Sequence, residues 1–205
     1  MTHITTLPPN EIPFLASIFA IDAKNYHVWS YRHWLVRHFS LWDTELPYVD
    51  SLLQADICNN SAWNHRWFII FARHTNPEKH SIKKNDADSE VPYEVIEGEI
   101  QYTKAAITKA PQNQSPWLYL RGILRKQGNG LVGMKAFAEQ FADLENEDEV
   151  RSSHALDLLA DVYAEEQENG KSAKALELLA RRYDPIRKNY WDYRRSQMGL
   201  EQVRA

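Results

Sequence analysis

Glycine is scarce in this 205-residue chain, and none of its 7 glycines precedes Gly98. The first 97 residues therefore hold no glycine-rich phosphate loop and no tight hairpin turn built on glycine. That argues against a P-loop kinase and against an all-β sandwich. Cysteine is nearly absent too: Cys58 stands alone, so no disulfide framework can form within the chain and a reduced compartment is the default. No apolar run approaches the ~20 residues that span a bilayer. Met1–Pro9 lacks the basic and apolar regions of a secretory signal. A cytoplasmic protein without a membrane span is expected. Basic residues are not in excess either, with 24 Lys+Arg against 28 Asp+Glu and a net charge of −4. Nothing in that balance points to nucleic acid or to an anionic membrane.

What the chain does have is tryptophan, 7 in all, and they repeat. Asn25-Tyr26-His27-Val28-Trp29-Ser30-Tyr31-Arg32 aligns with Asn59-Asn60-Ser61-Ala62-Trp63-Asn64-His65-Arg66 at an offset of 34. Upstream, Phe14, Leu15, Ile18 and Phe19 fall on Tyr48, Val49, Leu52 and Leu53, and Asp22 falls on Asp56. That spacing predicts one apolar helical stripe. At an offset of 54 a third copy continues with Tyr102, Ala106, Ile107, Asn113 and Trp117. The polar, aperiodic stretch 74–92 accounts for the extra length as a loop insertion. A worn fourth copy carries Leu176, Leu179 and Ala180, then Trp191 and Arg194, with Arg187 where an Asn would stand. Two further helices are expected near 131–144 and 153–168.

Each unit thus reads as helix A, a short turn, then helix B. Asn25, Asn59 and Asn113 sit at the N-cap of helix B, where a side-chain oxygen can accept from the free N–H groups. Trp and Arg three residues later share one helix face, the ring filling the gap between hairpins and the guanidinium reaching polar groups. Trp34 and Trp67 are expected to pack on another side of the same helices. A single hairpin cannot bury its own face, so hairpins must stack. The fold class is all-α, an α-α superhelix of helical hairpins. Trp29, Arg32, Asn59, Trp63, Arg66, Asn113, Trp117, Trp191 and Arg194 are assigned to the scaffold.

Few residues are left for chemistry. Gly128-Asn-Gly130-Leu-Val-Gly133 has the letters of a dinucleotide-binding motif but follows a charged amphipathic helix, so Gly128 reads as a helix C′ cap. No spacing of His or Cys suits a metal: His33 and His38 lie five apart, on different helix faces. Cys58 reads as a small buried residue, and Glu145–Glu149 as a solvated turn. Lys24-Asn25-Tyr26-His27 is different. It sets a cation, an amide, a phenol and an imidazole at a helix N-terminus, which favours anions. The equivalent turn Cys58-Asn59-Asn60-Ser61 has none of the cation, the phenol or the imidazole.

The Asn-Tyr-x-x-Trp-x-x-Arg hairpin resembles the repeat of protein prenyltransferase α subunits. The most specific stretches are 22–29, Trp42-Asp-Thr-Glu-Leu-Pro-Tyr-Val-Asp50 and 59–66. They resemble the α subunit shared by protein farnesyltransferase and type I geranylgeranyltransferase. Residues 1–10 resemble nothing in that family, and 11–205 form the helical-repeat domain. The resemblance implies a C-terminal portion, with N-terminal repeats of the family missing. It further implies a β subunit as partner, a prenyl diphosphate and a CaaX-protein substrate. Zinc is implied in the complete heterodimer, held by the β subunit, with magnesium left open and no metal in this chain. Asn25, Tyr26 and His27 match the family turn that reaches the prenyl diphosphate; catalytic residues proper are expected in the β subunit. Two alternatives stand beside this reading: a tetratricopeptide-like interaction scaffold, and the α subunit of a Rab-type geranylgeranyltransferase.

Overall fold

A computed structural model describes residues 5–74, 91–128 and 130–201, with side chains through 198 in the last helix. Among them there is no strand. The described residues form ten α-helices: α1 (Glu11–Ile21), α2 (Tyr26–Phe39), α3 (Trp42–Ala55), α4 (Asn60–Ala72), α5 (Tyr93–Lys109), α6 (Gln114–Lys126), α7 (Lys135–Ala138), α8 (Ser153–Glu165), α9 (Asn169–Leu178) and α10 (Lys188–Glu201). The chain forms two compact units, Met1–Glu99 and Ile100–Ala205, divided within α5. The polar insertion at 74–92 lies almost wholly outside the described residues, as do residues 1–4.

In the first unit the hairpins are α1–α2 and α3–α4. Leu15, Phe19, Trp29 and Leu35 make the core of the first, and Tyr48 and Leu52 of α3 pack against it. The apolar stripe of helix A therefore divides in two. Leu15 and Phe19 point into their own hairpin and are buried, while Phe14 is 56% exposed. Its repeat-mate Tyr48 is covered by the Arg32 guanidinium, 3.6 Å above the ring. Each cap expected from the sequence is formed. Asn25 Oδ1 accepts from Val28 N at 3.1 Å, Asn59 Oδ1 from Ser61 N and Ala62 N, and Asn113 Oδ1 from Ser115 N. With no glycine to end α2, Ser40 takes the left-handed conformation at φ 54°.

The second unit is built round α8, whose Leu156, Leu158, Leu159 and Val162 are fully buried. Trp117 of α6 packs against Phe137 and Phe141. Gly128 takes φ 69° just past α6, and its N–H closes on Arg125 O, as a C′ cap should. The helix expected over 131–144 shrinks to a 3₁₀ turn, Val132–Met134, and the single turn α7. Its two ends are bonded elsewhere: Leu131 N donates to Glu165, and Phe141 O accepts from Arg151 N and Ser152 N. The helix expected over 153–168 stops at Glu165. Leu176, Leu179 and Ala180 are buried as the stripe requires, though a π turn at Leu179–Tyr183 ends that segment.

Candidate functional site

The turn before α2 is held from beneath. Asp22 Oδ1 accepts from Lys24 N at 3.0 Å, and Asn25 N closes on Asp22 O. The Trp29 indole, 6% exposed, donates to Ala23 O at 2.9 Å. Asn59, the cap of the next hairpin, reaches the same carbonyl from Nδ2 at 3.5 Å. The motif is reused: Trp63 donates to Ile57 O at 2.9 Å and Trp117 to Pro111 O at 2.8 Å. Pro111 O also accepts from Ser152 Oγ at 2.6 Å, so Ser152, cap of α8, does there what Asn59 does in the first unit. In the worn copy Trp191 donates to the Asp184 carboxylate, which also pairs with Arg187. The tryptophan is thus a bolt between helix B and its own turn.

The arginines join successive helices. Arg32 holds Glu45 through two bonds of 2.8 Å. Arg66 holds Glu99 at 2.7 and 2.6 Å and Asp50 at 2.5 Å. In the second unit Arg121 and Arg194 both grip Asp157 and Asp161 of α8. Glu45, Glu99, Arg121 and the two aspartates were not singled out from the sequence. The signal for the glutamates was present, because Glu45 and Glu99 stand 54 apart, the offset that aligns copies two and three. Arg121 follows Trp117 by four residues and so escaped a three-residue pattern.

Against this buried lattice the side chains on the first turn stand out. Tyr26 is 76% exposed, His27 is exposed beside it with ring centroids 5.6 Å apart, and Lys24 is exposed. The exposed face of α2 continues along Tyr31, Trp34 and His38, whose rings stack at 5.8 and 4.6 Å. Trp34 is therefore largely a surface residue, 45% exposed, while Trp67 packs at a tilt against Phe71, with centroids 4.0 Å apart. Cys58 is exposed, contrary to the expectation of burial, because it occupies the turn position of Lys24 one repeat later. Its N–H donates to Asp56 Oδ1 just as that of Lys24 does to Asp22. Among the described residues no group of His, Cys, Asp or Glu is arranged to hold a metal, and no helix is long and apolar enough to cross a membrane. A cleft of about 840 Å³ in the second unit is lined by Glu139, Asp143, Glu145, Glu149, Arg151 and Lys171. It contains none of the residues assigned to the site or the scaffold.

Comparison with known proteins agrees with the repeat. The model of the protein prenyltransferase alpha subunit repeat matches residues 8–39, 42–73 and 96–127. The protein farnesyltransferase/geranylgeranyltransferase type-1 subunit alpha of Candida albicans is 40% identical over 193 residues, covering 93% of this chain and 58% of the relative. Its counterpart in Dictyostelium discoideum is 34% identical over 109 residues, 52% of this chain and 33% of the relative. Among solved structures, Candida albicans protein geranylgeranyltransferase-I complexed with GGPP superposes with a TM-score of 0.81 at 38% identity. That match covers 94% of this chain and 60% of the other. The fold class is that of these proteins, an all-α superhelix of hairpins, and the chain spans a little over half the length of the Candida albicans relative. With its three matched repeats, their caps, bolts and arginine pairs in place, the chain belongs to the protein prenyltransferase alpha-subunit repeat family.

Proposed function

We propose that this chain serves as the α subunit of a heterodimeric protein prenyltransferase. In that role it scaffolds a β subunit and lends Asn25, Tyr26 and His27 to the prenyl-diphosphate site. The complete enzyme transfers a farnesyl or geranylgeranyl group from its diphosphate to the cysteine of a C-terminal CaaX motif, in the cytoplasm. Zinc held by the β subunit would lower the pKa of that cysteine, so that it reacts as the thiolate. The named relatives are alpha subunits of such enzymes, and the solved neighbour carries GGPP. The observation that carries the residue-level reading is the contrast between turns. Hairpins one and two share backbone hydrogen bonds, cap and bolt, yet only the first presents a phenol and an imidazole outward. A residue needed for packing would be buried, as Trp29 and Arg32 are; Tyr26 and His27 are exposed.

The chemistry follows from placement. As the thiolate attacks C1 of the prenyl group, negative charge grows on the departing diphosphate. Donors fixed beforehand at a helix N-terminus lower the energy of that charge without having to reorganise. Tyr26 can offer an O–H and His27 an N–H, while Asn25 keeps its Oδ1 on the helix cap and leaves its amide N–H groups to the ligand. The exposed aromatic face of α2 beyond them suits the contact with the β subunit.

The test is to copurify the chain with a β subunit of this family and assay transfer to a CaaX peptide. A heterodimer with activity is expected. His27→Ala should lower turnover by ~10²-fold while the heterodimer still forms. No heterodimer and no transfer would refute the subunit reading, and unchanged kinetics in the variant would reduce His27 to a bystander.

A further inference from the structure

Beneath the turn, where α2 meets α4, lies a pair of histidines that neither the repeat nor the proposed chemistry uses. His65 of α4 is fully buried, and its Nε2 sits 2.6 Å from Glu45 Oε2. Glu45, itself 1% exposed, already receives the Arg32 guanidinium on both oxygens. His33 of α2 stacks on His65 with centroids 4.9 Å apart, and on Phe68 at 4.1 Å. Trp29 closes the other side, 4.9 Å from the His65 ring. Three buried nitrogens here have no hydrogen-bond partner: Arg32 Nη1, His33 Nε2 and His65 Nδ1. At the equivalent positions the other repeats carry Tyr31, Tyr119 and Tyr193 in place of His65, and Trp67 in place of His33. The two imidazoles are thus particular to this seam.

A carboxylate only accepts, so the His65 ring donates through Nε2–H and its Nδ1 is the bare, basic nitrogen. The charges facing the pair are few. On α2 they are Arg32 and Arg37, on α3 Glu45 with the Tyr48 phenol nearby, and on α4 only His65 itself. Arg66 faces away to Asp50 and Glu99. The single negative charge is therefore already matched by Arg32. A proton on either ring adds a third cation beside Arg32 and Arg37, with no further counter-charge among the groups facing the pair. We propose that the His33–His65 stack is a proton-operated latch: neutral, it holds the seam between the first two hairpins shut, and protonation opens it.

The thermodynamics support the geometry. Burial, then the neighbouring His65 and Arg37, bring His33 down from 6.5 to about 4. Burial also lowers His65, more than its bond to Glu45 raises it. The native state thus binds fewer protons than the unfolded chain, so stability falls as the pH drops below 6.5, and the loss from His33 is complete near pH 4. For His33 alone the folding constant falls about 20-fold between pH 7 and 5, and about 240-fold from pH 7 to the acid limit. Opening also frees Trp29 and Asn59, both of which hold Ala23 O. Acid would then loosen the turn that presents Tyr26 and His27, whatever that turn binds.

The experiment uses the whole chain, without ligand. Histidine ¹³C–¹H titration by NMR is expected to place His33 near pH 4 and His65 below the ordinary imidazole range; either ring titrating near 6.5 overturns the proposal. Indole hydrogen exchange separates a local latch from global melting. Between pH 7 and 5, after correction for intrinsic rates, protection at Trp29 should fall by tens of fold while Trp117 changes little. The difference should shrink in His33→Gln and in His65→Gln and vanish in the double variant, since glutamine at 65 can still donate to Glu45 but does not titrate. Equal acceleration at both indoles would mean that no latch exists.

Discussion

Replacing Arg66 by methionine tests the claim that the arginine pairs, more than the apolar stripes alone, set how successive helices meet. Arg66 is 5% exposed and gives three hydrogen bonds, two to Glu99 and one to Asp50. Methionine keeps most of the aliphatic stem, so the packing loss is small. The larger effect falls on what remains. Asp50 has 38% of its side chain exposed and can turn to water, whereas Glu99 has 7% and cannot. An ionised carboxylate left there without the Arg66 charge should cost ~3–5 kcal/mol. Removing both charges, in Arg66→Met with Glu99→Met, leaves no buried charge unmatched by the other, and the double variant should recover most of that loss, to within ~1–2 kcal/mol of the parent. Urea unfolding of parent, both singles and the double closes the cycle, with the coupling energy as its result. If Arg66→Met costs under 1 kcal/mol, or if the double variant is as unstable as the summed singles, the pair is ornamental and the stripes alone hold the helices.

Smaller changes probe the caps and the bolt. Asn59→Ala removes two cap bonds and the reach to Ala23 O, and should lower stability by ~1–2 kcal/mol in chemical denaturation. Trp29→Phe keeps an aromatic ring but loses the 2.9 Å bond to Ala23 O; ~1–2 kcal/mol of destabilisation is expected, with the first turn exchanging amides faster than the second. Ser40→Gly, at φ 54°, should stabilise by ~0.5–1 kcal/mol, visible as a higher urea midpoint; Gly128→Ala, at φ 69°, should destabilise by about as much.

The parts of this fold that were legible in the sequence are those encoded locally. An Asn cap, a Trp four residues on and a stripe at helical spacing each act within one hairpin, so each left a fixed interval in the chain. Partners across hairpins were harder to read. Glu45 answers Arg32 at 13 residues and Glu99 answers Arg66 at 33, the difference being the extra length of the insertion. Only after the copies are aligned do the two glutamates fall into register. The segment 131–144 was misread because its apolar residues look helical one by one, while its backbone groups are bonded to α8 and to the chain entering it. The meeting of buried His65 and half-buried His33 was not legible, since nothing in a five-residue interval between His33 and His38 says that His33 will meet His65 from another hairpin.

The same division explains why the candidate site could be named before the fold was seen. A repeat scaffold solves its packing problem once and reuses the solution, so turns one and two share their Asx bond, their cap and their Trp bolt. Whatever is common to the copies is thereby accounted for by stability. The residues that differ at exposed positions, Lys24, Tyr26 and His27 against Cys58, Asn60 and Ser61, are free of that constraint. Exchanging them tests the argument directly. Grafting Asn60 and Ser61 onto the first turn, as Tyr26→Asn with His27→Ser, should leave the urea midpoint within ~0.5 kcal/mol of the parent, since neither side chain is buried. Prenyl transfer by the heterodimer should fall by at least as much as in His27→Ala. A graft that unfolds the first hairpin would place Tyr26 and His27 in the scaffold, and a graft that leaves transfer intact would move the diphosphate contacts to another surface.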